Sequence, residues 1–254
     1  MRIIIITQDE PFYLAENLDY FFSMLPDYAE VVGCVVASAS PFGKKESFVD
    51  KALKTARIFG IGFFIHYALR FIKAKFDSSK KVHSVLEKYN VPAILIEGSI
   101  NSEESLDRLR ALAPDLLISV LGNQIFKMPL IELAPKGCLN LHTALLPKYR
   151  GLMPSFWVLK NQEKETGVSV FFVDKGVDSG PILVQKRIEI GSMTQEQLIQ
   201  FSKKLGMEAI VEAVDKINND DVETMENNAN DMTYFSFPTH EDVREFRKNG
   251  ARFY

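Results

Sequence analysis

The chain has 254 residues, 46% of them hydrophobic and 25% charged, a balance that excludes a disordered polymer and suits one large α/β domain, alone or with a small appendage. Its 30 Lys and Arg against 33 Asp and Glu leave a formal charge of −3, which argues against a nucleic-acid partner, since phosphates demand a clustered basic surplus, and for a small molecule. No segment reaches the roughly 20 apolar residues that cross a bilayer, and the expected location is the cytoplasm.

In chain order, residues 1–7 are too short and lack the cleavage site of a secretion signal, and they read as a first buried strand over 2–7. A second strand is expected at 31–38. Residues 51–75 break the rhythm: an aromatic helix is flanked by Lys51, Lys54, Arg57, Arg70, Lys73 and Lys75. It reads as a helix packed on the sheet or on a second subunit of a homo-oligomer, or as a peripheral surface meeting a bilayer or a lipid-linked substrate.

Further strands are expected at 92–97, 115–121 and 138–142. Between the first two, Asn101 followed by Glu104 resembles a capped helix start, with Leu106, Leu109 and Leu112 as its apolar face and Pro114 as its stop. Extended runs at 166–175 and 181–190 flank the turn Gly176-Val177-Asp178-Ser179-Gly180. Thr194 and Gln197 have capping-box spacing and open a helix with Leu198, Phe201 and Leu205 on one side. Regularity fades near residue 218, so a catalytic domain over 1–217 and a C-terminal extension over 218–254 are expected. Short apolar runs alternating with helical segments imply an α/β fold with a mostly parallel sheet. Cys34 and Cys138 have no ligand or redox spacing and sit in apolar runs, which predicts buried, reduced thiols.

The densest chemistry lies in Cys138-Leu139-Asn140-Leu141-His142 and the residues after it. Alternation along a strand puts Asn140 and His142 on one face, with Cα atoms about 6 to 7 Å apart. His142 falls at the carboxyl end of that strand, where open α/β sheets bind ligands. An amide can donate to a developing oxyanion and an imidazole can exchange protons near neutrality, the parts that acyl transfer needs. A carboxylate to hold the imidazole is expected from Asp178, with Asp174 and Asp9 as rivals. His66, His83 and His240 read as surface or structural residues. The chain has no glycine-rich phosphate loop, zinc-ligand spacing or nucleophile elbow, so neither a metal nor a covalent intermediate is expected.

Asn140-Leu141-His142, the stretch Leu146-Pro147-Lys148-Tyr149-Arg150-Gly151, the segment Gly167-Val168-Ser169-Val170, and the run from Val173-Asp174-Lys175 to Gly180-Pro181-Ile182 occur in the order found in folate-dependent formyltransferases, and the chain resembles that family. The resemblance implies a Rossmann-like domain that uses 10-formyltetrahydrofolate as donor, without metal. It implies catalytic roles for Asn140, His142 and Asp178, and folate contacts at Leu121, Gly122, Asn123, Gln124 and Ile125 and at Val173, Asp174, Gly176 and Val177. It implies a small-molecule amine as acceptor. Met153-Pro154-Ser155-Phe156-Trp157 is similar to the sugar-modifying members, so an amino sugar linked to a nucleotide or a lipid is expected. A tail too short for the separate barrel of methionyl-tRNA formyltransferases, together with the acidic balance, speaks against tRNA. The alternatives are a glycinamide ribonucleotide formyltransferase-like enzyme, a 10-formyltetrahydrofolate hydrolase that gives the formyl group to water, and a non-catalytic folate- or nucleotide-binding module.

Overall fold

Residues 3–6 are four consecutive isoleucines, which only a strand covered on both faces can hold. In the computed structural model, which describes residues 1–37, 48–121 and 124–254, all four are buried in β1 (Arg2–Gln8), an inner strand of a seven-stranded sheet. Helix α1 (Leu14–Met24) carries the chain back to β2 (Glu30–Ala37), which pairs parallel to β1. Helices α2 (Phe48–Phe59), α3 (Ile61–Phe76) and α4 (Val82–Lys88) follow, and then the short edge strand β3 (Ala93–Ile94). Helix α5 (Glu103–Arg110) leads across to β4 (Leu116–Val120) on the other side of β1, and α6 (Met128–Ile131) leads to β5 (Cys138–His142).

After the two-residue strand β6 (Arg150–Gly151) and helix α7 (Pro154–Lys160), β7 (Glu165–Phe172) and β8 (Ile182–Glu189) join the sheet antiparallel. Helix α8 (Gln195–Asn218), strand β9 (Tyr234–Phe235) and helix α9 (His240–Lys248) complete the chain. The sheet order is β3-β2-β1-β4-β5-β7-β8, so the chain reverses its direction of build between β1 and β4. In open α/β sheets such a reversal opens a crevice at the carboxyl ends of the strands.

The two faces bury separate cores. Ile3, Ile5, Leu116, Ile118 and Leu139 pack with α1 and α8 on one side, and Ile4, Ile6, Leu117 and Cys138 pack with Leu106, Leu109, Leu130 and Ile131 on the other. Each side chain so buried contributes roughly 1.5 to 3 kcal/mol. Helix α8 lies close on β5 because residue 206 is glycine: a Cβ there would come within 2.6 Å of the Leu141 side chain. Both cysteines are free and buried, and burial pushes their thiols up to about 12.

Four local expectations are revised. The helix over 51–75 is two helices, broken where Gly60 takes φ +89°. The strand at 92–97 shortens to two residues that pair with Cys34 and Val35, and beyond them Leu95 turns out to solvent. Helix α5 is capped by Ser102, which accepts the Ser105 N–H, while Asn101 instead accepts from Lys127 N–H and donates to the Ile125 carbonyl. On α8 the capping box of Thr194 and Gln197 forms, but Phe201 faces solvent and Met207 and Ile210 take the buried stripe.

Residues 218–254 return to the body of the fold. Val243 and Phe246 of α9 are fully buried, with Phe246 stacked on Phe156 and Phe253. The carbonyls of Arg252 and Phe253 accept the Gln195 and Glu196 N–H groups, which serves the open first turn of α8.

Candidate active site

Leu139 and Leu141 of β5 face α8, so the alternate positions Asn140 and His142 face the other way. The loop between β7 and β8 starts with Val173 N–H bonded to the Cys138 carbonyl, then folds back over this second face until Asp178 reaches His142. His142 Nδ1 lies 3.6 Å from Asp178 Oδ2, with the two side chains 8% and 12% exposed. This is ion-pair range, longer than a formed hydrogen bond, and such contacts commonly tighten when a substrate arrives. On the other ring edge, Nε2 donates to the Tyr149 carbonyl at 2.7 Å. The ring is therefore held between two acceptors, and a second ring proton on Nδ1 would face the carboxylate.

Unusual backbone surrounds the pair. Of the eight non-glycine residues with positive φ among the described residues, four lie here: Leu121, Tyr149, Met153 and Asp178. A left-handed conformation costs such residues roughly 1 to 3 kcal/mol, which the neighbouring structure must offset. At Tyr149, φ +59° turns the carbonyl towards His142, and the residue is fixed by Thr233 Oγ1 accepting its N–H at 2.8 Å and by its hydroxyl donating to Glu163 at 2.6 Å. Burial, with Glu163 as second cause, pushes that hydroxyl up to about 12, so it remains a donor.

At Asp178, φ +50° lets the carboxylate accept Gly151 N–H at 2.8 Å while Asn227 Nδ2 donates to its carbonyl and to that of Gly180, each at 2.9 Å. Asn227 is itself gripped by buried Arg150, which donates to its Oδ1 at 2.7 Å and to its carbonyl at 3.1 Å. Position 151 must be glycine, because at φ +93° a Cβ would stand 2.3 Å from the Phe235 carbonyl of the paired strand β9.

The rivals of Asp178 are engaged elsewhere. Asp174 closes its own turn, accepting from Gly176 N–H at 2.9 Å and Ser179 Oγ at 2.5 Å, and Asp9 is exposed beyond β1. Asn140 sits beside Ser119 of β4, half-buried, and its amide makes no hydrogen bond among the described residues, leaving it available to a ligand.

Of the residues expected to touch folate, Leu121 directly follows β4, Gln124 Oε1 accepts Ile100 N–H, and Ile125 is exposed. Gly122 and Asn123 lie outside the described residues. On the facing loop Val173 packs on the core beside Cys138, Asp174 and Gly176 share the turn just described, and Val177 is exposed. Asn227 and Thr233 carried no signal in the sequence, because nothing in a polar stretch between Asn218 and Tyr234 marks which amide will turn inward.

The arrangement offers an amide donor, a clamped imidazole and a carboxylate in one crevice, the set expected for acyl transfer. The methionyl-tRNA formyltransferase of Kosmotoga olearia is 38% identical over 165 residues, which cover 64% of this chain and 52% of that protein. The chain thus spans about half the length of the curated relatives it matches. In fold it is similar to phosphoribosylglycinamide formyltransferase from Anaplasma phagocytophilum, with TM-score 0.64 and 15% identity over 94% of this chain and 99% of that one. It is also similar to an N-formyltransferase from Helicobacter canadensis solved with folinic acid and dTDP-3-aminofucose, with TM-score 0.57 and 17% identity over 96% of this chain and 79% of that one. A family model described as formyl transferase matches residues 72–214, more than half of the sequence, and the chain belongs to that family.

Proposed function

We propose that the chain transfers a formyl group from 10-formyltetrahydrofolate to the amine of a small acceptor, with Asn140, His142 and Asp178 as catalytic residues. The reading is carried by one observation: the Asn140 amide, unpartnered among the described residues, and the His142–Asp178 pair share a face of β5 at the sheet's carboxyl end, in a member of the formyl transferase family. When bound, the folate supplies the reacting carbonyl as an N-formyl group. Asn140 donates to the carbonyl oxygen as it gathers charge, and because the amide is already in position it spends little on reorganisation. With Nε2 committed to Tyr149, His142 gains and gives up its mobile proton at Nδ1, the edge turned to Asp178. The incoming amine loses one proton as its bond to carbon forms, and the departing nitrogen gains one as its bond breaks. An imidazole and carboxylate that take and return a single proton balance the transfer.

The exposed apolar side chains Ile125 and Val177 support a folate site between the 121–125 and 173–177 loops, where Leu121, Gly122, Asn123, Gln124, Ile125, Val173, Asp174, Gly176 and Val177 are the proposed contacts. We take residues 1–217 as the catalytic domain and 218–254 as the extension that completes it. For the acceptor we infer an amino sugar, linked to a nucleotide or a lipid, on the net charge of −3 and the Met153-Pro154-Ser155-Phe156-Trp157 segment. The identity to methionyl-tRNA formyltransferases favours a second reading, an aminoacyl-tRNA acceptor. Spectroscopic release of tetrahydrofolate, measured with a dTDP-amino sugar, glycinamide ribonucleotide or methionyl-tRNA, separates them. Turnover only with the sugar supports the first reading, turnover only with tRNA supports the second, and release without any amine overturns both in favour of hydrolysis.

A further inference from the structure

Helix α3 has two unlike faces. Inward, Phe63 stacks on Phe59 at 4.5 Å and on Tyr67 at 4.4 Å, and Arg70 is enclosed by the rings of Phe12, Tyr13 and Tyr67 while pairing with Glu196 at 2.6 Å. Outward, Ile61, Ile65, Leu69, Ile72 and Phe76 recur at helical spacing and are each 52% to 85% exposed. The row runs the length of a 16-residue helix, about 24 Å, and nothing among the described residues covers it. Leu53 of the preceding helix α2 is also exposed, at 61%. Isolated surface leucines need no explanation, but a continuous aliphatic stripe of this length does.

The charge around the stripe identifies what would cover it. Residues 51–76 hold six of the chain's 30 Lys and Arg and none of its 33 Asp and Glu, in a protein whose net charge is −3. Arg57 is exposed at one end of the stripe, and Lys73 and Lys75 at the other. Of the carboxylates flanking the stripe, Glu196 pairs with Arg70 and Asp77 accepts the Ser79 N–H and hydroxyl, while Asp50 lies in the first turn of α2. A second copy of the chain fits poorly, since a two-fold pairing of antiparallel α3 helices would set Arg57 of each against Lys73 and Lys75 of the other. A nucleic acid would meet the lysines but gain nothing from five aliphatic and aromatic side chains. An anionic lipid surface satisfies both features, with the stripe entering the acyl boundary and the basic ends meeting headgroups.

We propose that α2 and α3 form a peripheral docking face for an anionic bilayer. The inference rests on this face alone and not on the formyl-transfer reading, so each can fail without the other. It is tested by co-sedimenting the full-length chain with phosphatidylcholine vesicles, with and without phosphatidylglycerol, at low and physiological salt. The expected result is partition onto the anionic vesicles about tenfold above the neutral ones, weakening as salt rises. Joint replacement Ile65→Ser, Leu69→Ser and Ile72→Ser should reduce partition about tenfold or more, and Lys73→Glu with Lys75→Glu should remove the preference for anionic lipid. Because these side chains are exposed, circular dichroism and thermal melting should match the parent. Equal partition onto both vesicles, or none, overturns the proposal. So does dimerisation in sedimentation equilibrium that the serine variant abolishes without loss of vesicle binding, or competition in which RNA binds through this face and vesicles do not.

Discussion

His142 and His66 each stand 3.6 Å from a carboxylate, yet only His142 lies in the candidate site. His142 is almost fully enclosed, its Nε2 bonded to a carbonyl that a left-handed Tyr149 aims at it, and its carboxylate is steadied by Gly151 and by the Arg150–Asn227 clasp. His66 is a third exposed and stacked flat on Tyr254 at 4.0 Å, its Nε2 makes no hydrogen bond among the described residues, and its Glu196 already serves Arg70. Two equal distances to a carboxylate thus go with very different constraints on the remaining atoms of the pair, and those constraints decide which proton can move and in which direction.

The comparison breaks most directly by substitution at the two rings. His142→Ala should lower amine-dependent turnover by about 10³-fold or more while leaving the circular dichroism spectrum intact, and His66→Ala should stay within about twofold of the parent. Equal losses would end the distinction. Asn140→Ala and Asp178→Asn should each cost about 10² to 10³ in kcat in the same amine-dependent assay.

A smaller effect sharpens the contrast by testing the clasp. Asn227→Ala removes the donor to the Asp178 and Gly180 carbonyls and leaves buried Arg150 short of an acceptor, which should cost about 1 to 3 kcal/mol in denaturant melts and about tenfold in kcat with KM little changed. A stability loss with unaltered kcat would make the clasp purely structural. At the other ring, Glu196→Gln should cost about 1 to 3 kcal/mol, since Arg70 loses its ionic partner, with no effect on kcat.

The least visible result concerns the thiols. Cys34 and Cys138, raised by burial from 9.0 to about 12, should not react with a thiol reagent at pH 8 until the protein is unfolded. Because their folded values are raised, the stability that they contribute is complete below pH 9 and is lost as pH climbs towards about 12, where unfolded thiols ionise first. Urea midpoints that fall across this interval, and fall less in Cys→Ser variants, would check it.

Much of this was legible in the sequence because it depends on local rules. The alternation in Cys138-Leu139-Asn140-Leu141-His142 predicts a shared face, and β5 occupies the same five residues. Thr194 with Gln197 predicts a cap, and the capping box forms. Where two local solutions compete, tertiary contacts decide. Asn101 and Ser102 could each cap α5, and the fold spends Asn101 on tying residues 125 and 127 to the helix start. Phe201 satisfies the helical period but sits outside the stripe that Met207 and Ile210 bury, since α1, β7 and β8, on which α8 chiefly packs, decide which of its faces is covered. The Asn227 clasp could not be read at all, because its partners are 77 residues before it and 49 residues before it, with no repeat or spacing to connect them.

That separation has a consequence for the order in which the molecule is made. During synthesis β5 and the 173–181 loop leave the ribosome well before residues 227–235, so the Tyr149 and Arg150 backbone at first lacks Thr233 and Asp178 lacks its tether. Closing such long loops is slow relative to local helix formation. A nascent chain would thus hold every residue of the proposed triad before Thr233 and Asn227 were there to fix Tyr149 and Asp178.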